Sequence, residues 1–76
     1  MRFFCIGGED AVRGFRLAGV EGRVVSDPAG AAAALEEAAA LEDCGVVLIT
    51  REALALARAR AEGIRLERER PLIAEI

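Results

Sequence analysis

Two stretches limit what this chain can fold into more than any others: "RFFCIG" at residues 2–7 and "GVVLIT" at residues 45–50. Beyond Arg2, neither carries a charge. Both are apolar at successive rather than alternate positions, as expected of strands covered on both faces; a hairpin with one wet face would alternate. Two weaker runs accompany them: "RVVS" at 23–26, short and β-branched, and "PLIAEI" at 71–76, led by proline.

Helical patterns fill the gaps. The first runs from Glu9 to Ala18 and is ended by Gly19. The second opens with Asp27 as a cap and Pro28 at the first helical position, then continues through "AGAAAALEEAAALE". The third takes Thr50 as its cap and runs from Arg51 to about Glu62, with Gly63 as the stop. Residues 64–70, "IRLERER", then read as a charged connector or a frayed extension. The order β-α-β-α-β-α-β with short loops implies a parallel sheet with right-handed crossovers. We expect an α/β fold of flavodoxin/receiver-like topology: four parallel strands in the order 2-1-3-4, with helices on both faces. This puts the two most apolar strands at the centre and the proline-led strand at an edge, where proline is tolerated. At 76 residues the chain has room for one such domain, residues 1–76, and no second core.

The chemistry such folds often carry is missing. The loop after the first strand reads "GGEDAVRG", which is not G-x-G-x-x-G. All ten basic residues are arginine, so no phosphate-binding lysine exists. Glu9 and Asp10 put negative charge where a phosphate would sit, although as first-turn residues they suit the helix dipole. A phospho-receiver domain would share the strand order and the acidic pair. It would also need an aspartate at the end of the third strand, where this chain has Ile49, Thr50 and Arg51. Histidine and tyrosine are absent, no nucleophile–base pair stands out, and Ser26 and Thr50 have local turn and cap roles. Cys5 and Cys44 read as small buried hydrophobes at opposite ends of the sheet rather than as a disulfide or a metal site. We therefore expect no catalytic residue, no cofactor and no metal. A net charge of −3 argues against general nucleic-acid binding. No apolar run is long enough to enter a membrane, so a cytoplasmic protein is expected.

One residue in the first helix resists this reading. Gly14 sits inside "GFRLAG" at residues 14–19, where glycine costs roughly 0.5–1 kcal/mol relative to alanine. On a helical wheel Ala11, Gly14, Phe15 and Ala18 share a face, so Gly14 is expected to let the helix lie close to the sheet. Arg13, Arg16 and Leu17 fall on the outer side as candidate partner contacts. Ile73 and Ile76, on an edge strand, are further candidates, and that edge could support weak self-association of the isolated chain.

"IGGEDAVRGFRLAGVEGRVVSDPAGAAAAL", followed by "GVVLIT" and "PLIAEI", resembles the F subunit of V-type (archaeal/bacterial A/V-type) rotary ATPases. The resemblance covers nearly the whole chain and is most specific at "GFRLAG". It implies the N-terminal globular domain of that protein, without the C-terminal tail that usually follows the last strand. It further implies a non-catalytic component of the central stalk. Such a component binds the coiled-coil D subunit, and through it the catalytic A/B head, and helps couple ATP turnover to ion transport. A receiver-like signalling domain lacking its phosphoacceptor is the alternative.

Overall fold

A computed structural model describes all residues, 1–76. The elements are β1 (Arg2–Gly7), α1 (Glu9–Leu17), β2 (Glu21–Val24), α2 (Pro28–Ala40), β3 (Cys44–Ile49), α3 (Arg51–Leu56), α4 (Arg58–Glu67) and β4 (Leu72–Glu75). The four strands are parallel in the order β2-β1-β3-β4, as expected.

One face of the sheet carries nearly all of the core. Phe4 and Ile6 of β1, Val47 and Ile49 of β3 and Ile73 of β4 point to the side where α2, α3 and α4 pack. Ala31, Ala34, Leu35 and Ala38 of α2 meet Leu54 of α3 and Ala61 and Ile64 of α4 in one cluster. The alanines let α2 lie close, while leucine and isoleucine fill the volume. The other face carries α1, which packs against β1 and β2.

The caps follow the sequence. The Asp27 carboxylate accepts from the Gly30 N–H at 2.6 Å, with Pro28 at the first helical position. The Thr50 hydroxyl accepts from the Ala53 N–H at 3.2 Å. Gly19 adopts φ 89°, the left-handed conformation that ends α1.

The third helical segment differs from expectation. It is broken at Ala57 (φ −138°, ψ 38°) into α3 and α4, and Gly63 lies inside α4 rather than ending it. The break re-aims the chain so that Ala61 and Ile64 both reach the core, fully buried. "IRLERER" therefore begins as helix, anchored by Ile64, and becomes irregular only from Arg68. Arg68 then donates to the Ala39 carbonyl of α2 at 2.9 Å, and Arg65 to the Ile73 carbonyl of β4 at 2.8 Å. β2 also starts two residues earlier than the β-branched pair suggested, at Glu21.

Candidate partner-binding surface

The switch point of the sheet, where β1 and β3 diverge, is a packed corner. A Cβ on Gly7 would lie 2.6 Å from Thr50 Cγ2, so only glycine fits there. The Thr50 amide donates to the Ile6 carbonyl at 3.0 Å, and its hydroxyl is spent on capping α3. Arg51, next along, reaches the Glu75 carboxylate at 3.6 Å. No carboxylate stands at the end of β3, and no group of three His, Cys, Asp or Glu side chains could hold a metal ion. Cys5 and Cys44 are both free and buried, and burial pushes both thiols above their ordinary pKa.

α1 rests on the sheet through a different notch from the one its own glycine suggested. Gly14 is exposed, and a Cβ there would meet nothing within 4 Å. The residue buried beneath the helix is Val12, flanked by half-buried Ala11 and Phe15. The notch is Gly22 of β2, where a Cβ would lie 2.6 Å from the Cys5 carbonyl oxygen and 3.3 Å from Val12 Cγ1. Close packing between α1 and the sheet is therefore real, but the strand glycine provides it.

The two flanks of α1 differ. At about 100° per residue, Glu9, Arg13 and Arg16 share one flank. They line a depression of about 170 Å³ with Val24 of β2, and Arg16 reaches the Gly22 carbonyl at 3.4 Å. Ala11, Gly14 and Ala18 share the opposite flank, which looks toward β3: a Cβ on Gly7 would touch both Ala11 and Thr50. Leu17 stands outermost, 86% exposed.

Beyond that second flank the sheet is bare. Strand alternation and register put Phe3, Val46 and Leu72 in one row and Cys5, Leu48 and Ala74 in the next, on the face away from the main core. Cys5 is sealed under α1, whereas Phe3 is 41% and Leu72 64% exposed, and Ile76 beyond β4 is 49% exposed.

Of the sequence candidates, Arg13, Arg16, Leu17 and Ile76 are all at the surface. Ile73 is not: it is 8% exposed and belongs to the core, because the register turns it toward α4 and turns Leu72 outward instead. Exposed Leu72 and Phe3, with half-buried Val46 and Leu48 between them, are not legible as surface residues in the sequence. The alternation in "PLIAEI" was visible, but which of Leu72 and Ile73 faces inward depends on pairing with β3. The candidates do not form one patch; Arg13 and Arg16 lie over β2, and Ile76 lies at the opposite edge.

With an α/β scaffold, a filled switch point and an uncharged bare sheet face established, the comparisons with known proteins decide the family. Residues 4–76 match the family described as ATP synthase (F/14-kDa) subunit. The chain belongs to that family. Among solved structures, the F subunit of the V-type ATP synthase from Archaeoglobus fulgidus is similar at 25% identity and TM-score 0.80, over 99% of this chain and 95% of that one. No curated protein matches. Members of this family are accessory subunits of an ATP synthase, not its catalytic ones, and so is this chain. No helix is long and apolar enough to cross a membrane.

Proposed function

We propose that this chain works in the central stalk of a V-type rotary ATPase/synthase. There it binds the coiled-coil D subunit and, through it, helps couple ATP turnover in the catalytic A/B head to ion transport. The observation that carries this reading is the family match across residues 4–76, a span that includes every strand except the first two residues of β1. The geometry fits a mechanical role: the switch point is filled by side chains, and the bare face of β3 and β4 is apolar rather than reactive. Residues 1–76 correspond in this reading to the N-terminal globular domain of the family, held in the cytoplasm at the membrane periphery by the complex. Arg13, Arg16, Leu17 and Ile76 are its exposed candidate contacts. Weak self-association of the isolated chain would run along the free edge of β4. Co-purification of the chain with a tagged stalk coiled-coil subunit tests the reading: retention on the column supports it, and absence of a complex overturns it.

A further inference from the structure

We infer that Arg65 holds the free edge of β4 shut: by occupying an outward-facing backbone carbonyl, it keeps a second copy of this chain from adding its own β4 to the sheet. This names what limits self-association at that edge, and it does not rest on the stalk reading.

The pairing decides which backbone groups of β4 are open. Ile76 donates its N–H to the Ile49 carbonyl at 2.9 Å. In a parallel pair, residues whose backbone groups bond the neighbouring strand alternate with residues whose groups point away from it. Leu72, Ala74 and Ile76 therefore bond toward β3, while Ile73 and Glu75 present their N–H and C=O groups outward. No strand of this chain lies beyond β4. Yet the Ile73 carbonyl is taken: Arg65 of α4 donates to it at 2.8 Å. That distance is well within hydrogen-bonding range, and the charge on the guanidinium strengthens the bond. α4 itself is anchored next to Arg65 by the fully buried Ile64.

The opposite edge carries the same arrangement. Val25 donates to the Gly7 carbonyl at 2.9 Å, so Gly22 and Val24 of β2 are the residues that point outward. The Gly22 carbonyl receives Arg16 at 3.4 Å and Arg23 at 3.3 Å. Arginine thus stands on an outward carbonyl of each edge strand, and charged side chains at an edge oppose strand addition.

At β4 the excluded occupant is a second β4. With two copies antiparallel about a two-fold axis at Ala74, Ile73 of one lies opposite Glu75 of the other, and each outward N–H meets an outward carbonyl. The same register sets Leu72 of one copy beside Ile76 of the other, side chains that stand 64% and 49% exposed in the single chain. β2 suits such pairing less, with charged Glu21 and Arg23 along it. Pairing through β4 must first break the Arg65 bond in both copies, and each copy carries −3.

Sedimentation from micromolar to millimolar concentration compares the parent with Arg65→Met, Arg58→Met and the double variant Arg65→Met/Glu75→Pro, with folding of each verified by thermal melts. Methionine keeps an apolar stem but has no donor. It also takes the net charge from −3 to −4, which by itself opposes association. Arg58, an exposed arginine on the same helix, controls for that charge. Proline at 75 removes an outward N–H and spares the bonds to β3. Losing one charge-assisted bond per copy should let Arg65→Met dimerise about ten-fold or more tightly than the parent. Arg58→Met should behave like the parent, and the double variant should lose the gained association. Arg65→Ala is expected to act as Arg65→Met does, and is read in its place should the methionine variant fail to fold. An Arg65 variant no more associated than the parent overturns the inference. So does a tighter dimer that survives Glu75→Pro, because its contact would lie elsewhere. Amide exchange gives an independent reading: the Ile73 and Glu75 amides should exchange freely in the parent monomer and become protected in the Arg65→Met dimer. Protection in the parent monomer, or none in the dimer, overturns it as well.

Discussion

Replacing Gly14 by alanine should stabilise this protein. The residue lies in the interior of α1, exposed, with no positive φ and no atom within 4 Å of where a Cβ would stand. The added methyl therefore meets no clash and buries little. What changes is the unfolded chain, which loses the extra freedom of glycine, and the helix, which gains the propensity difference of roughly 0.5–1 kcal/mol. For a chain of 76 residues, an unfolding entropy of about 2.1 cal/mol/K per residue gives about 0.16 kcal/mol/K in all, so the melting temperature should rise by about 3–6 °C. Urea titrations of parent and Gly14→Ala, followed by far-UV circular dichroism, give the free-energy difference directly. Gly14→Leu should also be at least as stable as the parent, contrary to the overpacking that a sheet-facing glycine would suffer. A loss of about 1–3 kcal/mol in the leucine variant would show that Gly14 is packed, and that α1 turns a different face to the sheet.

Three further outcomes follow from the geometry. Gly22→Ala should destabilise by about 1–3 kcal/mol, because its Cβ would press on the Cys5 carbonyl and Val12; a denaturant melt indistinguishable from the parent would remove the notch beneath α1. Thr50→Ala should lose about 1 kcal/mol with the cap on Ala53, seen as a lower urea midpoint at unchanged slope, whereas an unchanged midpoint would mean the cap contributes nothing. The buried thiols of Cys5 and Cys44 have raised pKa values in the folded chain, so the unfolded chain gives up its thiol protons first. Stability should therefore fall as pH climbs above the range where an ordinary thiol ionises, and a Cys5→Ala/Cys44→Ala variant should lose that component of the slope; equal slopes in both would contradict it.

The sequence specified the sheet well because its signals were local and redundant. Doubly apolar "RFFCIG" and "GVVLIT" could only be central strands, and Asp27–Pro28 and Thr50 announced their helices by hydrogen bonds made within three residues. The misreadings all depended on a partner distant in sequence. The small residues of α1 suggest one phase for its wheel, but the phase is set by Val12 seating over Gly22, which belongs to another element. Gly63 has the look of a helix stop, because glycine often ends helices, yet the pull of a buried Ile64 carries α4 past it. Ile73 and Leu72 exchanged roles because register with β3, not strand composition, decides which side of β4 faces α4. The bare face of the sheet was illegible for the same reason: its residues come from three strands, and only topology reveals that α1 stops short of covering them.

Titration calorimetry checks the proposed role, that of a non-catalytic stalk component that works by binding. The purified chain is titrated in turn with Mg-ATP and with the cognate stalk coiled-coil subunit. No heat of binding is expected with the nucleotide, and a saturable 1:1 complex with the coiled coil. Micromolar affinity for ATP together with no interaction with the coiled-coil subunit would contradict it.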